Sequence, residues 1–303
     1  MVFNYEQQAI LTTLLYSDIF NFPLTKDELW QYLLTEKPVT KKAFEEALQV
    51  LSSSKASRRI IQREGFYALA GRQSLITKRI TYLPEIERKL QLAKQAAAAL
   101  SVIPSIQCIG ISGGLSVGNV TDKDDIDFFI ITKKNTLFST RLWILLLLEW
   151  LGLRRKWNVS DAANKICVNL LIDETQLTWP RDKQDIYTAH EIVQLKPLFE
   201  REYMYQRFLK SNTWTTYYMS QWRSDNQRIS SHTNRWMNVF GVTIMNPFSE
   251  RVFRMFQQLY MKKHKTTERV EKSLLAFHPK DYRIETLTQL RSKCKQFGLL
   301  TNF

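Results

Sequence analysis

The chain has 303 residues, enough for two or three small domains with cores of their own. With 44% apolar and 24% charged residues it is not a disordered protein, and its most apolar run, Leu142 to Leu153, is broken by Glu149 and too short to span a bilayer. The net charge of +14 divides as +4 over residues 1–100, −1 over 101–200 and +11 over 201–303, so the middle third suits a cation and the last third a phosphate-bearing partner.

Residues 1–72 read as three helices and a hairpin. Tyr5 to Tyr16 carries apolar residues at helical spacing, and Thr25-Lys26-Asp27-Glu28 is a capping box opening a second helix through Leu34. Thr40 caps a third helix whose apolar face holds Phe44, Ala47, Leu48 and Leu51. Arg59–Arg63 and Phe66–Leu69 flank the turn Glu64-Gly65 as two paired strands. That order is the order of a winged helix-turn-helix, which predicts DNA contact through the third helix, with Arg58, Arg59 and Arg63 on phosphates. Lys41 and Lys42 favour it, Glu45 and Glu46 on the same helix oppose it, and a docking or dimerisation module of the same shape is the alternative. Residues 73–102 form a connecting helix, kinked or restarted at Leu83-Pro84.

Residues 103–200 hold the most informative stretch. Ile106 to Ile111 reads as a strand delivering the turn Gly113-Gly114-Leu115-Ser116, and Phe128 to Ile131 reads as a buried strand headed by Asp125-Ile126-Asp127. Period-two geometry puts Asp125 and Asp127 on one face, close enough to share divalent ions. The two glycines let backbone amides approach phosphate oxygens without obstruction. A turn at Lys133–Asn135, a helix over 138–152, a strand over 165–172 and a helix over 182–196 ended by Pro197 follow. On that last helix, either His190 or Glu191 reaches the site, or both are ordinary helix surface.

Residues 201–303 read as a basic helical domain. Phe248, Val252, Phe253, Phe256, Leu259 and Tyr260 recur at helical spacing as core. Trp214, Trp222 and Trp236, near Arg207, Arg223, Arg228 and Arg235, suit stacked bases and phosphates, or simply amphipathic helices with snorkelling cations. Cys108, Cys167 and Cys294 are odd in number and widely spaced, and the histidines are scattered, which predicts neither disulfides nor zinc. With no secretory leader pattern, a reducing cytoplasm and no membrane contact are expected.

The Gly-Gly turn, short spacer and Asp-hydrophobic-Asp strand resemble the DNA polymerase beta-like nucleotidyltransferase superfamily, of the minimal nucleotidyltransferase type, over about residues 104–175. The resemblance implies an α/β (α+β) core with a mixed β-sheet, here set between the N-terminal winged helix-turn-helix and the C-terminal helical lobe. It implies Mg²⁺-dependent transfer of a nucleoside monophosphate from a nucleoside triphosphate, ATP by preference, to an acceptor hydroxyl. Gly113, Gly114 and Ser116 would hold the triphosphate, Asp125 and Asp127 would bind the ions of a two-metal site, and Lys123 would contact phosphate. The superfamily's third carboxylate falls here on Asn169, which can offer an oxygen but cannot take a proton. Asp173, Glu174 and Glu191 are the candidate replacements. The alternative is a catalytically degenerate core serving a DNA-binding regulator. An RNA 3′ end, a small molecule and a protein all stay open as acceptors.

Overall fold

The computed structural model describes residues 3–53, 59–156, 162–222, 250–255, 257, 269–270, 274–276 and 281–299. Arg58, Arg223, Arg228, Arg235, Trp236, Phe248, Phe256, Leu259 and Tyr260, singled out above, lie outside the described residues. The protein is mixed α/β, with helices around mixed sheets.

The chain opens with α1 (Tyr5–Ile19), β1 (Leu24–Thr25), α2 (Lys26–Gln31), α3 (Lys41–Ser53), β2 (Ile60–Arg63) and β3 (Phe66–Leu69). The three strands pair antiparallel in the order β1-β3-β2. Local sequence sets the helix starts: Thr25 and Glu28 exchange the two bonds of a capping box, and Thr40 Oγ1 accepts from the Ala43 amide at 3.2 Å. By contrast, α1 is buried at every residue from Ala9 to Asp18. A helix buried on all sides needs neighbours all round, and α1 has α3 against one face and the C-terminal helix α10 (Arg283–Gln296) against another. Asp18 fastens the arrangement, accepting from Arg72 at 2.6 Å and from Lys293 at 2.7 Å.

Next come α4 (Gln73–Thr81) and α5 (Leu83–Leu100), separated at the expected place, with Pro84 in the first turn of α5 where its missing N–H costs nothing. Then follow β4 (Ile106–Ile111), α6 (Gly113–Val117), β5 (Ile126–Thr132), α7 (Leu137–Trp150), β6 (Ile166–Asp173), α8 (Ile186–Val193), β7 (Lys196–Glu200) and α9 (Met204–Ser211). Two short strands, β8 (Arg269–Val270) and β9 (Leu274–Ala276), precede α10. The second sheet runs β7-β4-β5-β6-β9-β8. Only β5 and β6 are parallel, joined by the α7 crossover; the other neighbours are antiparallel.

Two expectations are corrected. The helix expected over 182–196 is shorter, and Lys196–Glu200 leaves it as a strand on the sheet edge, where Pro197 lacks only a donor that an edge need not supply. The last third is not wholly helical, because Leu274–Ala276 adds to the open edge of β6. Both are pairing choices made by a distant strand, and neither has a local period to announce it.

The sheet divides two cores. Ile109, Ile111, Phe128, Ile130 and Leu171 meet α5 and α7 on one face. Phe129, Ile131 and Ile172 face the other way, into a core continuous with α1, α3, α8, α9 and α10. His190 belongs to that second core. Its ring stacks on Tyr16 with centroids 3.9 Å apart, and Nδ1 donates to the Ile186 carbonyl at 2.9 Å. Burial lowers its pKa to about 4, so the folded chain keeps it neutral whereas the unfolded chain protonates it near the ordinary 6.5. The stability this gives is complete above pH 6.5 and is lost as pH falls towards 4. Relative to His190→Phe, the wild type should lose on the order of 2–3 kcal/mol across that window in urea unfolding. A difference between the two that stays flat with pH would contradict it.

Candidate functional site

β4 and β5 are antiparallel and β6 is parallel to β5, so the end of β4 and the starts of β5 and β6 share one edge of the sheet. The Ser112 amide donates to the Asp127 carbonyl at 2.9 Å, closing the glycine turn over the aspartate. Gly113 has φ +61°, and a Cβ there would sit 2.8 Å from Asp127 Oδ2; at Gly114 it would sit 2.5 Å from the Asn119 carbonyl oxygen. Gly114 requires glycine for want of space against the backbone, and Gly113 for its left-handed backbone, since the atom in its way is the end of a side chain. Gly113→Ala should destabilise the fold by about 1–2 kcal/mol and displace the Asp127 carboxylate. Thermal unfolding together with Mg²⁺ titration checks this, since a merely strained turn would leave ion affinity unchanged.

Asp125, the residue before β5, and Asp127, within it, come together as period two expects, and with the Cys167 sulfur they offer ligand atoms within 4.8 Å of one another. Cys167 joins them because β6 pairs it directly with Asp127. Arg155 forms an ion pair with Asp125. Asp127 is half-buried, and its pKa rises to about 7, first through burial and then through the charge of Asp125, with a smaller push from Glu191; Arg155 and Cys167 pull the other way. Burial, then the two aspartates, keep the Cys167 thiol protonated. The arrangement concentrates negative charge in a poorly solvated place, which a cation would relieve.

The loop that carries Asp125 is held by a residue that sequence gave no reason to single out. Lys89, on α5, is wholly buried; Nζ donates to the Asp124 carbonyl at 2.7 Å, the Asp122 carbonyl at 3.3 Å and Asn164 Oδ1 at 3.0 Å. Glu85 lies 3.3 Å away as its counter-ion. Thr121 adds two bonds to Asp124 Oδ2, at 2.6 and 2.9 Å. Lys123 is exposed in this loop. Ser116 is buried, and its hydroxyl donates to the Gly113 carbonyl at 2.7 Å, bracing the turn from inside.

Asn169 sits at a bulge: Phe128 pairs with Val168 and Phe129 with Leu170, leaving Asn169 as the extra residue. Consecutive Asn169 and Leu170 therefore both line a cavity of about 340 Å³ on the Phe129 face of the sheet. Ser112 and Glu191 line it too. Of the three carboxylates considered as replacements, Asp173 and Glu174 are at the far end of the strand. Asp173 Oδ1 accepts from the Thr175 amide at 2.9 Å, and Glu174 accepts from the Lys134 amide at 3.1 Å. Glu191 is the one whose charge is felt at Asp127. It has no hydrogen-bond or ion-pair partner among the described residues, and burial raises its pKa to about 7. The α-helical period of α8 explains the split between neighbours: His190 turns into the core and Glu191 into the cavity.

Comparison with protein-family models, with curated proteins and with solved structures finds no match to this chain.

Proposed function

We propose that this protein is a Mg²⁺-dependent nucleotidyltransferase, moving a nucleoside monophosphate from a nucleoside triphosphate, ATP by preference, to an acceptor hydroxyl. One observation carries the proposal: two carboxylates at the head of one strand come together beside a glycine turn that packs directly against one of them, Asp127.

The donors suit the ion. Mg²⁺ takes one or two protein carboxylates and leaves its remaining positions to water and phosphate oxygens, which Asp125 and Asp127 can satisfy. The thiol of Cys167 is a soft ligand with no affinity for so hard a cation. Bound there, Mg²⁺ supplies neutralisation of charge on phosphate oxygens. Arg155 keeps Asp125 oriented, Lys89 keeps its loop in place, and the amides opening α6 donate to phosphate, since the first turn of a helix has no internal acceptors. Asn169, at the position where a third carboxylate would be expected, leaves proton removal to another group.

The N-terminal unit has the element order of a winged helix, but several of its cations are engaged, Lys41 excepted. Lys26 and Lys42 pair with Glu45 and Glu46, Arg63 pairs with Glu64, and Arg59 lies over the Phe297 ring. Phosphate binding needs such charges free, and with few left free here and the acidic pair in place we prefer the enzyme to the regulator. Purified protein with Mg²⁺ and each labelled nucleoside triphosphate should release pyrophosphate and form a labelled product. Tight DNA binding with steep salt dependence and no turnover would reverse the preference.

A further inference from the structure

We propose that the cavity beside the acidic pair is the acceptor pocket of this enzyme, and that the acceptor is a compact uncharged molecule with a flat apolar body and a hydroxyl group rather than a nucleic-acid end. The inference rests on the nucleotidyltransferase reading above for its chemistry, but the pocket itself stands on separate observations.

The first is the lining. At about 340 Å³ the cavity falls at the small end of ligand sites, and most of its wall is apolar, with Phe129, Leu170 and Phe208 among the residues that form it. A single strand of nucleic acid would need free cations along a groove. Here the wall carries two cations, Arg283, committed to Asp185 at 3.0 Å, and Lys183, too few to track a run of phosphates. The second is a polar group left without a partner. Ser112 is 8% exposed, and its hydroxyl is buried with no hydrogen-bond partner among the described residues. Buried polar groups are nearly always satisfied, so an unsatisfied hydroxyl on a wall that also carries Asn169 marks where a ligand's own polar atoms belong. The third is position. Ser112 bonds the Asp127 main chain, and Asn169 is two residues beyond Cys167 on β6, so the polar end of the cavity adjoins the acidic pair.

Glu191 explains why the occupant is an acceptor and not the nucleobase. An unpaired carboxylate near two aspartates would repel a triphosphate, yet it is well placed to take a proton from a hydroxyl. The acceptor oxygen bonds to the α-phosphorus and its proton passes to Glu191. The bond from that phosphorus to the bridging oxygen breaks, and pyrophosphate leaves with the electron pair. The pKa of Glu191, held up near 7 by burial, matches the task.

The probe is 2-phenylethanol, a flat ring bearing one hydroxyl, added to the full chain without nucleotide and followed by saturation-transfer NMR. Ring-proton saturation is expected with wild type. Asn169→Leu keeps the shape and takes a polar group off the cavity wall, so it should stay folded, with circular dichroism as the control, and bind about tenfold more weakly. No binding to wild type, or equal binding by Asn169→Leu, overturns the pocket. Displacement of the probe by a nonhydrolysable ATP analogue with Mg²⁺ also overturns it, because the cavity would then hold the base. With Mg²⁺ and labelled nucleoside triphosphate, wild type should label 2-phenylethanol. Glu191→Gln should lower kcat about 100-fold with probe binding retained; an unchanged kcat removes Glu191 from the step. Label appearing on an RNA 3′ end instead overturns the acceptor class and leaves nucleotidyl transfer standing. Probe binding with no transfer of any nucleotide overturns the activity and leaves the pocket standing.

Discussion

Asp125→Asn with Asp127→Asn is expected to remove Mg²⁺-dependent transfer, lowering kcat/KM by about 10³-fold or more, since the site's affinity for a cation rests on these two charges and such stabilisation is worth several kcal/mol. The fold should survive. Amides have nearly the shape of the carboxylates, and neutralising Asp127 removes a charge that burial and Asp125 together hold at a raised pKa. The melting temperature at pH 8, where wild-type Asp127 is ionised at a cost, should therefore be equal or higher in the variant. Arg155 loses its partner, but at 46% side-chain exposure its charge returns to solvent. Initial rates of pyrophosphate release, with circular dichroism as the folding control, decide it. Turnover at the wild-type rate would put the chemistry elsewhere in the molecule.

Replacing Lys89 with Met should be the most damaging single change to the site's framework. It leaves the part-buried bonds to the Asp122 and Asp124 carbonyls unmade and removes one of two donors to Asn164 Oδ1 and one of two cations on Glu85, Arg88 being the other in each case. Because Glu85 also holds Arg88 at 2.6 Å, the cost should stay below that of fully breaking a buried ion pair, at about 2–4 kcal/mol. Urea unfolding measures this directly. Lys89 acts through the Asp124 carbonyl, one residue before Asp125, so a second effect is expected: the Mg²⁺ concentration giving half-maximal rate should rise more than the KM for nucleotide. A variant that loses stability but keeps its Mg²⁺ dependence would make Lys89 structural only.

Much of the local architecture was legible in the residues themselves. Thr25-x-x-Glu28 announced a helix start because its two bonds close within four residues, and Leu83-Pro84 announced a break because proline removes a donor. Asp125 and Asp127 share a face because strand geometry alternates, whatever lies around them.

What the residues could not disclose is everything that depends on a neighbour distant in sequence. Nothing local makes Cys167 the atom beside the aspartates; the β5–β6 register does. No period marks Asn169 for a cavity; a bulge does, by placing two consecutive side chains on one face. Lys89 reads as helix surface until the loop at 122–124 closes over it, and Lys196–Glu200 reads as a helix end until β4 offers it a partner. Backbone alternation and capping are decided by interactions a few residues long, so sequence alone determined the acidic pair and its glycine turn. Register, burial and the choice between His190 and Glu191 are decided by which surfaces exclude water together, and only the tertiary structure determines that.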